Sequence, residues 1–230
     1  MSITLDFEGR TYSKHGGTWT HKGIAVPSVL HDRLERTHSA AREDYPNVRR
    51  RFEEEGIHCL FHVTDESNIE QIRQLGLLSR RKLEREGLPF RDIADPQVLK
   101  KRESFFGYVP LYLVRENPLI SLQPPHSTRI LEVSLDVLDL NDVRIAPRNA
   151  AIASVVPTHP SEVVDEIDWA VLRGPNLHRR SFDAGSRDWD EWKARRMAEV
   201  LVRDRIPPRS DREGSGHLRL IEGKVNPAPR

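Results

Sequence analysis

Along the first 26 residues apolar and polar positions alternate and then turn. Ile3, Leu5 and Phe7 give way to Glu8-Gly9, Thr11 and Tyr12 to Gly16-Gly17, and Trp19 follows. Such alternation, broken by glycines, predicts a small antiparallel β unit of two or three strands. From Pro27-Ser28 the period lengthens. Val29, Leu30 and Leu34 recur at helical spacing, and a second helical segment runs from Asn47 to Glu55 with Gly56 closing it. Residues 57–64 are strand again, with Ile57, Cys59, Phe61 and Val63 on one face and His58, Leu60, His62 and Thr64 on the other. Asp65 then caps a helix carrying Ile69, Ile72 and Leu75, which Gly76 stops. A short helix over 97–103, strands over 108–113, 129–135 and 197–202, and a last strand near 217–221 complete the expected elements. Pro110 cannot donate to a ladder, so the strand carrying it has one free side there. The polar stretch 177–192 reads as a long loop, and 223–230 as a disordered tail.

The strand Met197-Ala-Glu-Val-Leu-Val202 holds a carboxylate among five apolar residues. Met197, Glu199 and Leu201 share one face, and Ala198, Val200 and Val202 the other. A carboxylate cannot be buried cheaply, so Glu199 is paired, placed in a site, or on the wet face of a half-exposed strand. A strand ending in His62 and Thr64, followed at once by a helix, suits the capture of a small ligand, although a lone His-x-Thr also fits a structural histidine. Tyr12 and Trp19, flanked by Lys14, His15, His21 and Lys22, either stack on nucleobases or form the core of their small unit. Arg49, Arg50 and Arg51, followed by Glu53, Glu54 and Glu55, are spaced for surface pairs along a helix.

Composition narrows the choices. Of 230 residues 37% are apolar and 31% charged, enough for one substantial domain plus an appendage. The boundary expected near Gly56 separates an N-terminal β-hairpin and helical appendage, 1–56, from a main domain, 57–222. A net charge of only +1 means that nucleic-acid binding has to come from local basic patches. The single cysteine, Cys59, excludes an intramolecular disulfide and a multi-cysteine zinc site, and no metal is expected. With no apolar run of roughly 18 residues and no signal-peptide pattern, a soluble, cytoplasmic protein without membrane contact is expected.

Four stretches, in order, resemble the DarT family of DNA ADP-ribosyltransferases, toxins usually paired with a macrodomain antitoxin, DarG. They are Phe61-His-Val-Thr-Asp-Glu-Ser-Asn68 with Gly76-Leu-Leu78; Ile93-Ala-Asp-Pro96 followed by Lys101-Arg102; Tyr108-Val-Pro-Leu-Tyr112 with Asn117-Pro118; and Arg195-Arg-Met-Ala-Glu-Val-Leu-Val202. Asn149-Ala-Ala and Ile167-Asp-Trp169 fall between them in the family's order, and the resemblance covers roughly residues 57–206. The chain departs from the pattern in three places. Arg102 lies only six residues before Tyr108, Pro147-Arg148-Asn149-Ala150 stands where the family has Asp-Gly-(His/Asn)-Ala, and residues 1–56 have no counterpart.

The resemblance implies an α+β chain with the ADP-ribosyltransferase fold, two small, mostly antiparallel sheets around a cleft for NAD⁺. His62 and Thr64 would hold the nicotinamide end, with Asn68 close by and Tyr112 on the wall. Arg102 would contact the diphosphate or the reacting ribose, and Glu199 would be the catalytic carboxylate. Lys101 and Arg91 are next in line should Arg102 be a solvated helix residue. Asn149, Arg179 and Trp189 are the substrate-side candidates. The implied acceptor is a thymine or guanine of single-stranded DNA, and a DarG-like macrodomain the implied antitoxin. In the 177–193 stretch His178, Arg179, Arg180, Phe182, Arg187, Trp189 and Trp192 would track the strand, or else its tryptophans anchor it to the core. Two alternatives remain at this level: an NAD⁺ enzyme acting on RNA or on water, and a catalytically dead nucleic-acid-binding module.

Overall fold

The computed structural model describes residues 3–7, 10–15, 18–27, 30, 47–118, 127–140, 142–152, 154–177, 181–183, 186–208 and 218–224. Among them the strands are β1 (Ile3–Phe7), β2 (Arg10–His15), β3 (Thr18–His21), β4 (Ile24–Ala25), β5 (Cys59–Asp65), β6 (Leu77–Leu78), β7 (Tyr108–Tyr112), β8 (Thr128–Ser134), β9 (Val143–Ala146), β10 (Glu199–Arg203), β11 (Arg205–Ile206) and β12 (Leu218–Lys224). The first four form an antiparallel meander, so the N-terminal unit has four strands where two or three were expected. Tyr12 and Trp19 are buried there against Val26 and Leu30, which makes them core side chains. The helix expected between residue 28 and Pro46 falls almost wholly outside the described residues.

The main domain is built on a six-stranded sheet in the order β12-β8-β5-β7-β10-β9, each neighbouring pair antiparallel. Its middle is thin, because β5 and β7 pair only at Phe61 and Tyr112. The sheet is therefore two three-stranded halves joined at one rung, which is how the expected two small sheets are realised. Residues of one backbone position point N–H and C=O to the same edge, so Pro110 turns a donorless position toward β5.

Alternation along each strand sends one face into the main core. Leu60, Leu111, Leu131, Val133, Ile145, Val200 and Val202 pack there with Phe52, Trp169 and Leu172, and each such burial contributes about 1.5–3 kcal/mol. The opposite face carries Tyr108, Tyr112, Glu199, Leu201 and Ala146. The helix over 47–54 supplies Val48 and Phe52 to the core, while Arg49–Glu53 and Arg50–Glu54 pair one turn apart on its outside and Arg51 pairs with the buried Glu55. Gly56 ends it at φ 79°.

Asp65 accepts from the Ser67 N–H and caps the 3-10 turn Glu66–Asn68, which runs into the helix Ile69–Leu75. At Gly76 a Cβ would sit 2.2 Å from the Ile206 carbonyl oxygen, so the approach of the chain to β11, which pairs antiparallel with β6, leaves no room for a side chain.

A longer element also differs from expectation. Asp188–Arg196, most of which was expected as loop, is a helix. It has little apolar periodicity, and charge supports it instead. Asp188, Asp190 and Glu191 lie in the first turn and Lys193, Arg195 and Arg196 in the last, opposing the macrodipole, and Arg195 bonds Glu191 one turn back. At its end Arg196 is buried, donating from Nη1 to the carbonyls of Val171, Leu172 and Gly174 and from Nε to that of Glu116. This ties the start of β10 to the C-terminal end of the helix Trp169–Arg173.

Candidate active site

Where β5 and β7 part, a cleft of about 330 Å³ opens, a size suited to a nucleotide-like ligand. His62 bridges the parting. Its Nδ1 lies 2.9 Å from the Pro110 carbonyl oxygen, and since a carbonyl only accepts, Nδ1 carries the proton. Burial holds the ring's pKa below the ordinary histidine value, against the opposing pull of that carbonyl, so the imidazole is neutral at pH 7 with Nε2 as an acceptor.

Glu199 begins β10 directly opposite Tyr112, and is wholly enclosed. Both carboxylate oxygens are taken by the fork of Arg102, Nη1 to Oε1 at 2.9 Å and Nη2 to Oε2 at 2.5 Å. The Ala150 N–H adds a third bond to Oε1 at 3.2 Å. Arg102 follows the helix Pro96–Lys101, whose N-terminus Asp95 caps and Pro96 opens. Burial alone would discourage its charge, but Glu199 and a bond with the Tyr112 hydroxyl more than offset this and raise its pKa. Burial, reinforced by the charge of Glu199, raises the Tyr112 pKa in turn, so the phenol keeps its proton. The result is a bidentate ion pair with one side against the sheet. Its other side faces the cleft, where Arg102 but not Glu199 lines the wall.

Six of the residues singled out in the sequence meet on this cleft: His62, Thr64, Asn68, Arg102, Tyr112 and Asn149. Glu199 stands directly behind Arg102. Of the reserve candidates, Arg91 also lines the cleft and reaches the Asp65 carboxylate at 3.5 Å, whereas Lys101 is exposed beside it. Asn149 turns its Oδ1 to the Ala151 N–H, which presents the next amide, Ala150, to Glu199.

Trp189 is not on the cleft. It stacks on Trp192 with ring centroids 5.3 Å apart, and Phe182 closes edge-on at 5.6 Å, so the tryptophans form their own aromatic cluster on the outside of the helix Asp188–Arg196. Lys193 of that helix does reach the cleft wall. Arg179, with His178 and Arg180, lies outside the described residues.

Two contributors had no signal in the sequence: the Ala150 amide is a backbone group, and Lys193 was hidden in a supposed loop. Phe90–Ala94, an irregular segment of which Arg91, Ile93 and Ala94 did stand out in the sequence, forms one edge of the cleft. Among the described residues no cluster of three or more His, Cys, Asp or Glu is placed to hold a metal ion, and no helix is long and apolar enough to cross a membrane.

A family model described as ssDNA thymidine ADP-ribosyltransferase, DarT, matches residues 61–210. Among solved structures, Thermosipho africanus DarTG in complex with ADP-ribose superposes with a TM-score of 0.53 at 21% identity, over 65% of this chain and 41% of that one. Thermus sp. 2.9 DarT in complex with ADP-ribosylated ssDNA gives 0.53 at 17% identity, over 66% and 78%. At these identities the likeness is one of fold, and the chain spans less than half the length of the Thermosipho protein. Comparison with curated proteins finds no match.

Proposed function

The chain belongs to the DarT family of NAD⁺-using ADP-ribosyltransferases, and from that premise we propose that it transfers ADP-ribose to a thymine of single-stranded DNA. The observation that carries this reading is the enclosed Glu199, gripped by Arg102 at the wall of a cleft shared with His62, Thr64 and Tyr112. The family description names thymidine, and the solved relative from Thermus holds ADP-ribosylated single-stranded DNA. Guanine is the second base to test. A role as a toxin or anti-phage effector, countered by a macrodomain antitoxin, goes with the same reading.

In this reading the bond from the nicotinamide nitrogen to ribose C1′ breaks and positive charge gathers on the ribose. Glu199 stabilises that charge in a site where water is scarce and the carboxylate is already oriented by Arg102 and the Ala150 amide. A base nitrogen then bonds to C1′, and once the diphosphate has drawn Arg102 off one carboxylate oxygen, Glu199 takes the proton the base sheds. Arg102 has a planar fork that serves carboxylate and phosphate oxygens alike, so it can share its donors with the diphosphate without leaving the wall. Neutral His62 and the Thr64 hydroxyl offer an acceptor and a donor to the nicotinamide carboxamide. Single-stranded substrate avoids the cost of flipping a base out of a duplex.

The test is mass spectrometry of defined single-stranded DNA, duplex DNA and RNA oligonucleotides incubated with the protein and NAD⁺, beside Glu199→Ala. Adducts of ADP-ribose confined to one base of single-stranded DNA and absent from the variant support the reading. Adducts on RNA, or free ADP-ribose formed whatever the acceptor, overturn it in favour of an RNA-modifying enzyme or an NAD⁺ glycohydrolase. No product, together with no rise in melting temperature at millimolar NAD⁺, identifies a dead pocket.

A further inference from the structure

Phe90 to Ala94 contribute five successive residues to the cleft lining, yet the segment belongs to no helix or strand and depends on side chains to hold it. Besides the pair of Arg91 with Asp65, two side chains from elsewhere in the fold grip it. The Asn68 Oδ1 accepts the Arg91 N–H at 2.9 Å, and its Nδ2 donates to the Arg91 carbonyl at 2.8 Å and to the Thr64 hydroxyl oxygen at 3.0 Å. One side-chain amide thus takes both backbone groups of one residue, as a neighbouring strand would. It also spends both N–H groups of the Asn68 amide, leaving neither for a bound ligand. One residue further on, the Arg80 guanidinium pairs with Asp92 and lies over the rings of Phe90 at 5.1 Å and Phe106 at 4.7 Å. Beyond these two ties Ile93 packs onto the cluster of Val63, Tyr112, Ile130 and Met197, beside the Glu199 row of the sheet.

We propose that Asn68 and Arg80 are positioning residues that fix Phe90–Ala94 as the wall against which the ADP-ribose portion of NAD⁺ is seated. Asn68 acts through the backbone of Arg91, not by touching the nicotinamide. The proposal rests on the reading of this cleft as the NAD⁺ site. It separates two roles that a residue at this place can have. A residue that grips only the nicotinamide matters for NAD⁺ and not for ADP-ribose, which lacks that ring. A residue that places the wall matters for both.

The experiment measures affinity for ADP-ribose and for NAD⁺ by calorimetry, with steady-state kinetics and amide exchange, on wild type, Asn68→Ala, Asn68→Asp and Arg80→Ala. Asn68→Ala and Arg80→Ala are expected to weaken ADP-ribose and NAD⁺ alike, by about tenfold, as the loss of one or two hydrogen bonds allows. KM for NAD⁺ rises accordingly while kcat moves less. Asn68→Asp has the same shape but sets a carboxylate oxygen against the Arg91 carbonyl, and should bind no better than the alanine variant. Exchange at the Arg91 amide, slow in wild type, becomes fast in Asn68→Ala at unchanged melting temperature, whereas Asn68→Asp keeps an oxygen to accept that N–H.

Full ADP-ribose affinity in Asn68→Ala with NAD⁺ weakened overturns the tie and makes Asn68 a nicotinamide contact. Unchanged exchange at Arg91 in Asn68→Ala overturns it as well. Wild type that binds neither ligand overturns the reading of the cleft itself, and the tie with it.

Discussion

Two arginines hold the start of β10, and their partners could hardly differ more. Arg196 gives its hydrogen bonds only to backbone carbonyls, those of Val171, Leu172, Gly174 and Glu116. Burial lowers its pKa, with Glu116 pulling the other way. Arg102 gives its bonds to a full negative charge on Glu199, and its pKa is raised in spite of burial. Arg196 has acceptors fixed by the fold and no access to the cleft. Arg102 has a charged side chain for a partner on one side and the cleft on the other. The first arrangement holds β10 in place, and the second gives β10 something to do.

The two anchors therefore fail differently when cut. The largest effect is expected from Glu199→Ala, which should lower oligonucleotide modification by about a thousandfold or more, on the order of 4 kcal/mol of barrier. Its melting temperature should stay near wild type, since the freed Arg102 can be solvated from the cleft; a stable protein with undiminished turnover would break the comparison.

Arg102→Ala is expected to be the more damaging to stability, because the enclosed carboxylate is left without its cation, a loss of about 3–5 kcal/mol in urea unfolding. Adding Glu199→Gln to it should recover much of that loss, since the orphaned charge goes with it. No second substitution can rescue Arg196→Ala in this way. Its orphaned carbonyls belong to the backbone, at about 1–3 kcal/mol for each left unpaired. Equal rescue in both cases would show that the two arginines are alike after all.

A smaller effect concerns pH. The neutral ring of His62 has a folded-state pKa below the reference value of 6.5, so its contribution to stability is complete above pH 6.5. That contribution is lost as the pH falls from there through the depressed value. Urea midpoints measured from pH 8 to pH 5 should be level and then decline, and His62→Asn should remove part of the decline. The smallest effect is expected at Trp189. Its removal from the stacked cluster should cost about 0.5–1.5 kcal/mol beyond lost area and leave NAD⁺ affinity unchanged.

Much of this was legible from alternation alone. The period-two pattern put Glu199 on the face opposite Val200 and Val202, and those two residues do enter the core while Glu199 faces Tyr112 across the ladder. His62 and Thr64 at a strand end, and the helix over 47–54 with its outward charge pairs, were equally readable. What stayed hidden has common physical causes. A helix held by charge order, as Asp188–Arg196 is, has no apolar period to read. The amide of Ala150 has no side-chain identity, and the bonds of Asn68 to Arg91 span 23 positions. The single rung at Phe61 and Tyr112 depends on how far two strands run side by side before they part, which only the assembled sheet decides.

One edge strand of the sheet, β12, lies beyond the matched residues 61–210 and lends its hydrogen bonds to β8. A shortened protein ending near residue 208 would leave β8 as a naked border of unmet N–H and C=O groups, a ready template for another molecule to stick to. Trimming this chain to its recognisable core would therefore yield a species prone to clump, whatever its chemistry.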